Sequence, residues 1–266
     1  MTHAVLASPP DPSFDRANWP PTPPRMIAAA LMLAMAVLLW LIGGIWRLAA
    51  CLLVLDVAVQ LLPWKYPRSA RSTASIWAET LLHLAAPVIM VLAAVATRQH
   101  WLTALPAPLW WPGAVLAAVG LVWLSGLPLR ALFSGDLAFL AAPVSRSHKA
   151  ARCVSTLAAP AGEEFLFRAP LLAVSGLGAL PTGLVGAAAF VARHHLLPGL
   201  HERTAPRVLL TQVTAAAVLG LLTWASRSIY PALLAHYLNN VPSFLLEAGR
   251  PTTGWRRLAP AVAEAD

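Results

Sequence analysis

Charged residues are scarce in this sequence. Asp, Glu, Lys and Arg make up only 11% of its 266 residues, whereas 58% are hydrophobic and the mean hydropathy is +0.66. Soluble globular domains carry about 25% charged residues. The composition therefore argues against an ordinary soluble protein and indicates a polytopic membrane protein.

Cysteine is also scarce. Cys51 and Cys153 lie within or beside apolar segments and have no CxxC partner. The sequence therefore predicts neither a disulfide framework nor a thiolate zinc site. The net charge of +8 could suggest nucleic acid, but the basic residues are dispersed in short connections between apolar runs. This dispersion is typical of the loops between membrane-spanning segments, and it predicts no nucleic-acid partner.

The first 25 residues are polar and rich in proline, with the run PPTPP before the first apolar segment. They lack a basic region followed by a short apolar core and a cleavage site, so no cleavable signal peptide is predicted. We interpret residues 1–25 as a disordered cytoplasmic tail.

Long apolar runs occupy most of the remaining chain. Most are close to the roughly 20 residues that a membrane-spanning helix needs. The second is the shortest and carries Asp56, so it either crosses the membrane or forms a hairpin with the first. The sequence predicts an all-α fold, a polytopic transmembrane bundle of about eight helices. The segments are 26–45, 48–63, 76–97, 108–129, 152–176, 178–198, 206–225 and 229–248.

Basic residues alternate with these segments. Thirteen fall on one side of an eight-span arrangement and three on the other, and three more lie in or at the ends of spans. This bias predicts that both termini are cytoplasmic. The predicted organisation is a tail (1–25), N-terminal transmembrane helices (26–149), a transmembrane core (150–248) and a cytoplasmic C-terminal tail (249–266).

Three ionisable residues interrupt the fifth segment, in the run AGEEFLFRAP. Glu163, Glu164 and Arg168 are costly in hydrocarbon, which suggests a chemical role. Arg168 follows Glu164 by four residues, so the two share a helix face and are predicted to pair. Glu163 would then be freer to face a cavity. The alternative is an ion-pair cluster that only fixes helix packing.

Two more polar motifs have helical spacing. Phe190 and His194 are four residues apart in FVARHHLLP, as are His236 and Asn240 in SIYPALLAHYLNNVP. Singly, they fit an interfacial histidine or a hydrogen-bonded helix contact. Together with the glutamates, they could activate a water and stabilise the oxyanion formed when that water attacks a peptide carbonyl. This equipment suits hydrolysis without a covalent intermediate.

The motifs EExxxR, FxxxH and HxxxN, in this order, resemble the CPBP family. This family comprises CAAX-type prenyl-protein endopeptidases and bacterial bacteriocin-processing or immunity proteins, also called Abi. The resemblance covers about residues 150–242, and it makes the transmembrane core the catalytic one. It implies that Glu163 is a general base aided by His194, and that His236 and Asn240 stabilise the oxyanion.

The resemblance also implies that Glu164 belongs to the catalytic group and that Arg168 and Phe190 support it. The family is regarded as glutamate-type, so no cofactor is expected. Two glutamates and two histidines could bind Zn²⁺, but no HExxH motif is present, so a metal site is disfavoured. One departure is Arg193, at a position where the family usually has a small or apolar residue.

These features predict an intramembrane endopeptidase, a multi-pass protein of the bacterial inner membrane. Its partners would be the lipid bilayer and a membrane-anchored or C-terminally sorted peptide or protein substrate. Two alternatives remain open. One is a non-catalytic immunity or scaffolding protein of the same fold, and the other is a proton-coupled small transporter, although no internal repeat supports the latter.

Polar residues also occur in the early spans. Asp56, Glu79 and His83 either line a polar path between these spans or pair structurally, and the sequence favours structural pairing. Pro160, just before the two glutamates, predicts a helix start or a kink with unpaired backbone groups near the site.

Overall fold

A computed structural model describes residues 23–61, 73–98, 104–141, 143–196 and 206–253. Most of the two predicted tails lies outside the described residues, as do the side chains of Glu79 and His195. The described part contains no β-strand, apart from an isolated bridge between Val144 and Thr252. The all-α prediction is therefore confirmed.

Ten α-helices are present in the described part of the chain. Each of the eight predicted segments coincides with one helix, and the short helices α5 and α6 were not predicted. The helices are α1 (Pro23–Ile42), α2 (Trp46–Leu61), α3 (Thr73–Ala96), α4 (Trp110–Ser125), α5 (Leu129–Phe133), α6 (Asp136–Leu140), α7 (Arg146–Phe167), α8 (Ala179–Leu196), α9 (Pro206–Ser226) and α10 (Tyr230–Gly249).

Helix α7, which carries the two glutamates, has clear end signals. It begins after Ser145, whose hydroxyl accepts a hydrogen bond from the backbone N–H of His148 at 3.1 Å. It ends at Phe167, with Arg168 as the C-cap residue, because Pro170 cannot continue the helix, and a short 3₁₀ turn follows. The predicted fifth segment is therefore too long at its C-terminal end. Pro160 lies inside α7 rather than at its start.

Among the described residues, three helices are long and apolar enough to cross a membrane: Pro23–Ile42, Ile76–Ala96 and Pro206–Ser226. The shorter Trp110–Ser125 is also apolar. These helices indicate an integral membrane protein. The count of eight spans and the cytoplasmic position of both termini stay predictions.

Helix α7 lies in the middle of the bundle, against α3 on one side and α10 on the other. Glycine permits two close approaches around it. A Cβ on Gly162 would lie 2.8 Å from His83 Cα on α3, and a Cβ on Gly186 of α8 would lie 2.6 Å from the carbonyl oxygen of Phe167. Gly186 therefore permits a close contact between α8 and the C-terminal end of α7.

Two apolar clusters surround these contacts. The larger joins α1, α2, α3, α7 and α8 and also reaches α4 and α9, and the smaller joins α4, α9 and α10. Since α7 belongs to the first cluster and α10 to the second, the contact between these two helices lies where the clusters meet. The polar residues predicted for the site gather at this contact.

Candidate active site

Helices α7 and α10 run antiparallel, as three polar contacts show. Glu164 contacts His236, Thr156 contacts Asn240, and Arg152 contacts Glu247, so positions rise along α10 as they fall along α7. We call these contacts the inner, middle and outer rungs. The predicted site lies at the inner rung.

The inner rung is a buried carboxylate–imidazole pair. Oε1 of Glu164 lies 2.7 Å from Nδ1 of His236, and both side chains are buried. An ionised carboxylate can only accept, so Nδ1 of His236 carries the proton. The other ring nitrogen, Nε2, then faces the rest of the site, where it can accept a proton or, once protonated, donate one.

Arg168 supports this pair, as the sequence predicts. Its Nη1 lies 3.3 Å from Oε1 of Glu164, with both side chains buried. This is an ion pair without hydrogen-bond geometry. The guanidinium also lies over the ring of Phe190, 3.8 Å from its centroid, a cation–π contact that further compensates the buried charge.

Glu163 contacts a different arginine from the one that pairs with Glu164. Its Oε1 accepts a hydrogen bond from Nη1 of Arg193 at 3.0 Å, and its Oε2 lies 3.7 Å from Nε2 of His236. The expectation that Glu163 is freer than Glu164 is therefore wrong for Oε1, which is committed to Arg193, and for Oε2 it stays a prediction. The separation from His236 is too long for a direct hydrogen bond but permits both atoms to share one water.

His194 is partly buried and lies within electrostatic range of Glu163. Its Nδ1 lies 2.8 Å from the carbonyl oxygen of Phe190, which can only accept. Nδ1 therefore carries the proton, and Nε2 is left as an acceptor suited to binding a water proton.

Phe190 connects the two histidines. Its ring meets His194 edge to face at 4.6 Å between centroids and His236 at 6.0 Å. The side chains of Glu163, Glu164, Arg168, Phe190, His194 and His236 thus form one cluster on α7, α8 and α10.

Asn240 lies one helical turn away from this cluster. In the described part of the chain, its Nδ2 donates to the carbonyl oxygen of Thr156 at 3.4 Å. That carbonyl has no helical donor because Pro160, four residues later, lacks an N–H. The amide therefore satisfies the backbone group that Pro160 leaves unpaired, and it retains a second N–H donor.

The structural pairing predicted for Asp56 and His83 is confirmed, but the sequence did not predict that Arg193 is their partner. Asp56 and His83, from α2 and α3, contact the buried guanidinium of Arg193, which reaches Glu163. The signal was available, because a carboxylate in one apolar segment and an arginine in another each need a buried partner.

The donor set fits a divalent metal poorly. Each of the two glutamates already has one oxygen beside a fixed guanidinium, Arg193 for Glu163 and Arg168 for Glu164. A metal ion there would be repelled by both cations. Among the described residues, no three His, Cys, Asp or Glu side chains form a metal-ligand group.

Comparison with known families matches one segment of the chain. Residues 150–242 match the family described as type II CAAX prenyl endopeptidase, Rce1-like. No curated protein and no solved structure matches the chain. The matched segment contains the whole cluster and Asn240, and it leaves α1 to α6 outside. Over residues 150–242, about a third of the chain, the protein is therefore similar to the type II CAAX prenyl endopeptidase family.

Proposed function

We propose that this protein is an intramembrane endopeptidase that hydrolyses a peptide bond of a membrane-associated substrate. The observation that carries the proposal is the convergence of Glu163, His194 and His236 inside an apolar bundle. A carboxylate and a neutral imidazole facing the same space are suited to binding and deprotonating a water. The family match supports this class of reaction.

In the proposed reaction, the water oxygen attacks the peptide carbonyl carbon, and the water proton passes to Oε2 of Glu163 with help from Nε2 of His194. Nε2 of His236, in the protonated imidazolium form that Glu164 stabilises through Nδ1, and the second N–H of Asn240 donate to the oxyanion. Collapse of the intermediate breaks the C–N bond, and the proton held by Glu163 passes to the leaving amine. Glu164 and Arg168 hold His236 in place.

The substrate is proposed to be a membrane-anchored or C-terminally sorted peptide or protein, because it must reach a site enclosed by apolar helices. The location is proposed to be the bacterial inner membrane. No cofactor enters this proposal.

The test uses membranes from source cells in which the coding sequence is deleted. Purified wild type, Glu163→Gln or His236→Ala is added in detergent, and new peptide termini are quantified by mass spectrometry. We call this the terminus assay. Wild type should generate a set of new termini, and Glu163→Gln should generate them at least about 100-fold more slowly, since it retains shape but not basicity.

Identical termini from wild type and folded Glu163→Gln would contradict the proposal, and would favour the scaffolding or transport alternatives. The assay also tests the metal-free mechanism. Cleavage should persist in a chelator, whereas loss of cleavage with recovery on adding Zn²⁺ would show that a metal takes part.

A further inference from the structure

Arg193 is a buried arginine on α8, directly before His194, and its side chain is only 2% exposed. A guanidinium does not lose its proton in a protein, so burial requires compensation by partners. Here the partners come from three other helices: Asp56 on α2, His83 on α3 and Glu163 on α7.

Each nitrogen of Arg193 has its own partner. Nε donates to Oδ2 of Asp56 at 2.9 Å, Nη2 donates to Nε2 of His83 at 2.6 Å, and Nη1 donates to Oε1 of Glu163 at 3.0 Å. Because a guanidinium can only donate, His83 must be the neutral tautomer that accepts at Nε2. Because a guanidinium is also planar and rigid, fixing Nε and Nη2 sets the direction of Nη1.

We propose that Arg193 is a positioning residue for Glu163, and that Asp56 and His83 serve this role by orienting Arg193. The inference rests on the proposed function of Glu163 as the base. Arg193 fixes Oε1, so that Oε2 is the oxygen turned toward His236 and the water. Helices α2 and α3, which lie outside the matched segment, are thereby part of the active site.

The packing of α3 against α7 brings His83 close to the residue that precedes Glu163. Gly162 precedes Glu163 and lies against the backbone of His83, where a Cβ would come within 2.8 Å of both its Cα and its ring. Pro87, four residues after His83, donates no helical hydrogen bond to the His83 carbonyl. The same residue, His83, contacts Gly162, which directly precedes the two glutamates.

A network that only ties helices together would have different consequences. Its loss would lower stability, and activity would fall only as far as the folded fraction falls. A positioning role predicts slower cleavage by protein that is still folded, because small displacements of a catalytic group are costly. It also predicts partial rescue by lysine, which keeps the positive charge.

The test compares Arg193→Gln, Arg193→Lys and Asp56→Asn in the terminus assay. Rates are expressed per folded protein, with the folded fraction taken from thermal unfolding in detergent. The matched control is Glu247→Gln, which disrupts an ion pair of α10 away from the site. We expect Arg193→Gln to be about 100-fold slower than wild type, and Asp56→Asn about tenfold slower.

Arg193→Lys should recover at least about tenfold over Arg193→Gln, and Glu247→Gln should match wild type. The inference is overturned if folded Arg193→Gln and Asp56→Asn cleave at the wild-type rate, or if lysine does no better than glutamine. These results would leave the role of Glu163 intact. If wild type produces no termini that depend on Glu163, the proposed function fails and this inference fails with it.

Discussion

The inner and outer rungs of the α7–α10 contact each contain a glutamate and a nitrogen donor, but they differ in their exposure to solvent. At the inner rung, the side chain of Glu164 is fully buried and that of His236 is 6% exposed. At the outer rung, Arg152 lies 2.6 Å from Glu247; the Glu247 side chain is 8% exposed, but that of Arg152 is 36% exposed. Arg250 and Lys149 add further contacts at this end.

This difference distinguishes a contact that only holds two helices together, which we call a clamp, from a contact that can take part in catalysis. Ion pairs in which one partner is exposed, like Arg152 here, are screened by solvent and contribute about 0–1 kcal/mol, which is enough to assist packing. Buried pairs cost more to desolvate and are often no better for stability than apolar residues of similar volume. The inner rung therefore has no strong stability rationale of its own, and its retention inside an apolar bundle fits a chemical role.

Glu164→Gln should have the largest effect, because it disrupts the inner rung. Buried Arg168 would lose its counter-charge, so the free energy of unfolding should fall by about 3–5 kcal/mol. Cleavage should also slow by about 100-fold as His236 loses its anchor. Thermal unfolding and the terminus assay measure the two effects.

The double variant Glu164→Gln/Arg168→Met separates them. Removing the uncompensated cation should restore much of the lost stability without restoring cleavage. Recovery of both would show that the inner rung contributes to stability alone.

The next largest effect on stability and cleavage is expected at the middle rung. Asn240→Ala leaves the Thr156 carbonyl unpaired, which should cost about 1–3 kcal/mol. If Asn240 also stabilises the oxyanion, cleavage should fall by about 100-fold or more. The matched control is Thr156→Ala, which keeps that carbonyl and should leave the rate unchanged. A normal rate for Asn240→Ala would limit this residue to helix packing.

Gly162→Ala tests the other side of α7. The added methyl would force α3 away from α7 beside His83, so we expect cleavage to slow by about tenfold. The free energy of unfolding should fall by about 1–3 kcal/mol. Gly220→Ala on α9, where a Cβ meets nothing within 4 Å, is the control. Equal behaviour of the two variants would argue against a tight α3–α7 contact.

The smallest effect is expected at the outer rung. Glu247→Gln should lower the free energy of unfolding by no more than about 1 kcal/mol, and this loss should shrink at high salt. A loss as large as that for Glu164→Gln would remove the distinction between the two ends.

Much of the helical order could be predicted, because long apolar runs separated by basic connections leave few alternatives. The end of α7 could not be placed, because the apolar run continues past Pro170 while the helix stops before it. The pair of Glu164 and Arg168 followed from helical spacing alone, and the structure confirms it.

Contacts between distant segments were harder to predict. The link from Asp56 through Arg193 to Glu163 joins residues more than a hundred positions apart, and no local spacing reports it. The bond from Asn240 to Thr156 likewise depends on Pro160 and on the antiparallel register of α7 and α10. Burial of lone charged residues signals that partners exist, but only the fold shows which they are.

The most direct test places the same substitution at two glutamates in the terminus assay. If Glu163 is the base and Glu247 belongs to a clamp, Glu163→Gln should slow cleavage at least about 100-fold per folded protein, while Glu247→Gln should stay within about twofold of wild type. Equal rates for the two folded variants would contradict the assignment of Glu163 as the catalytic base.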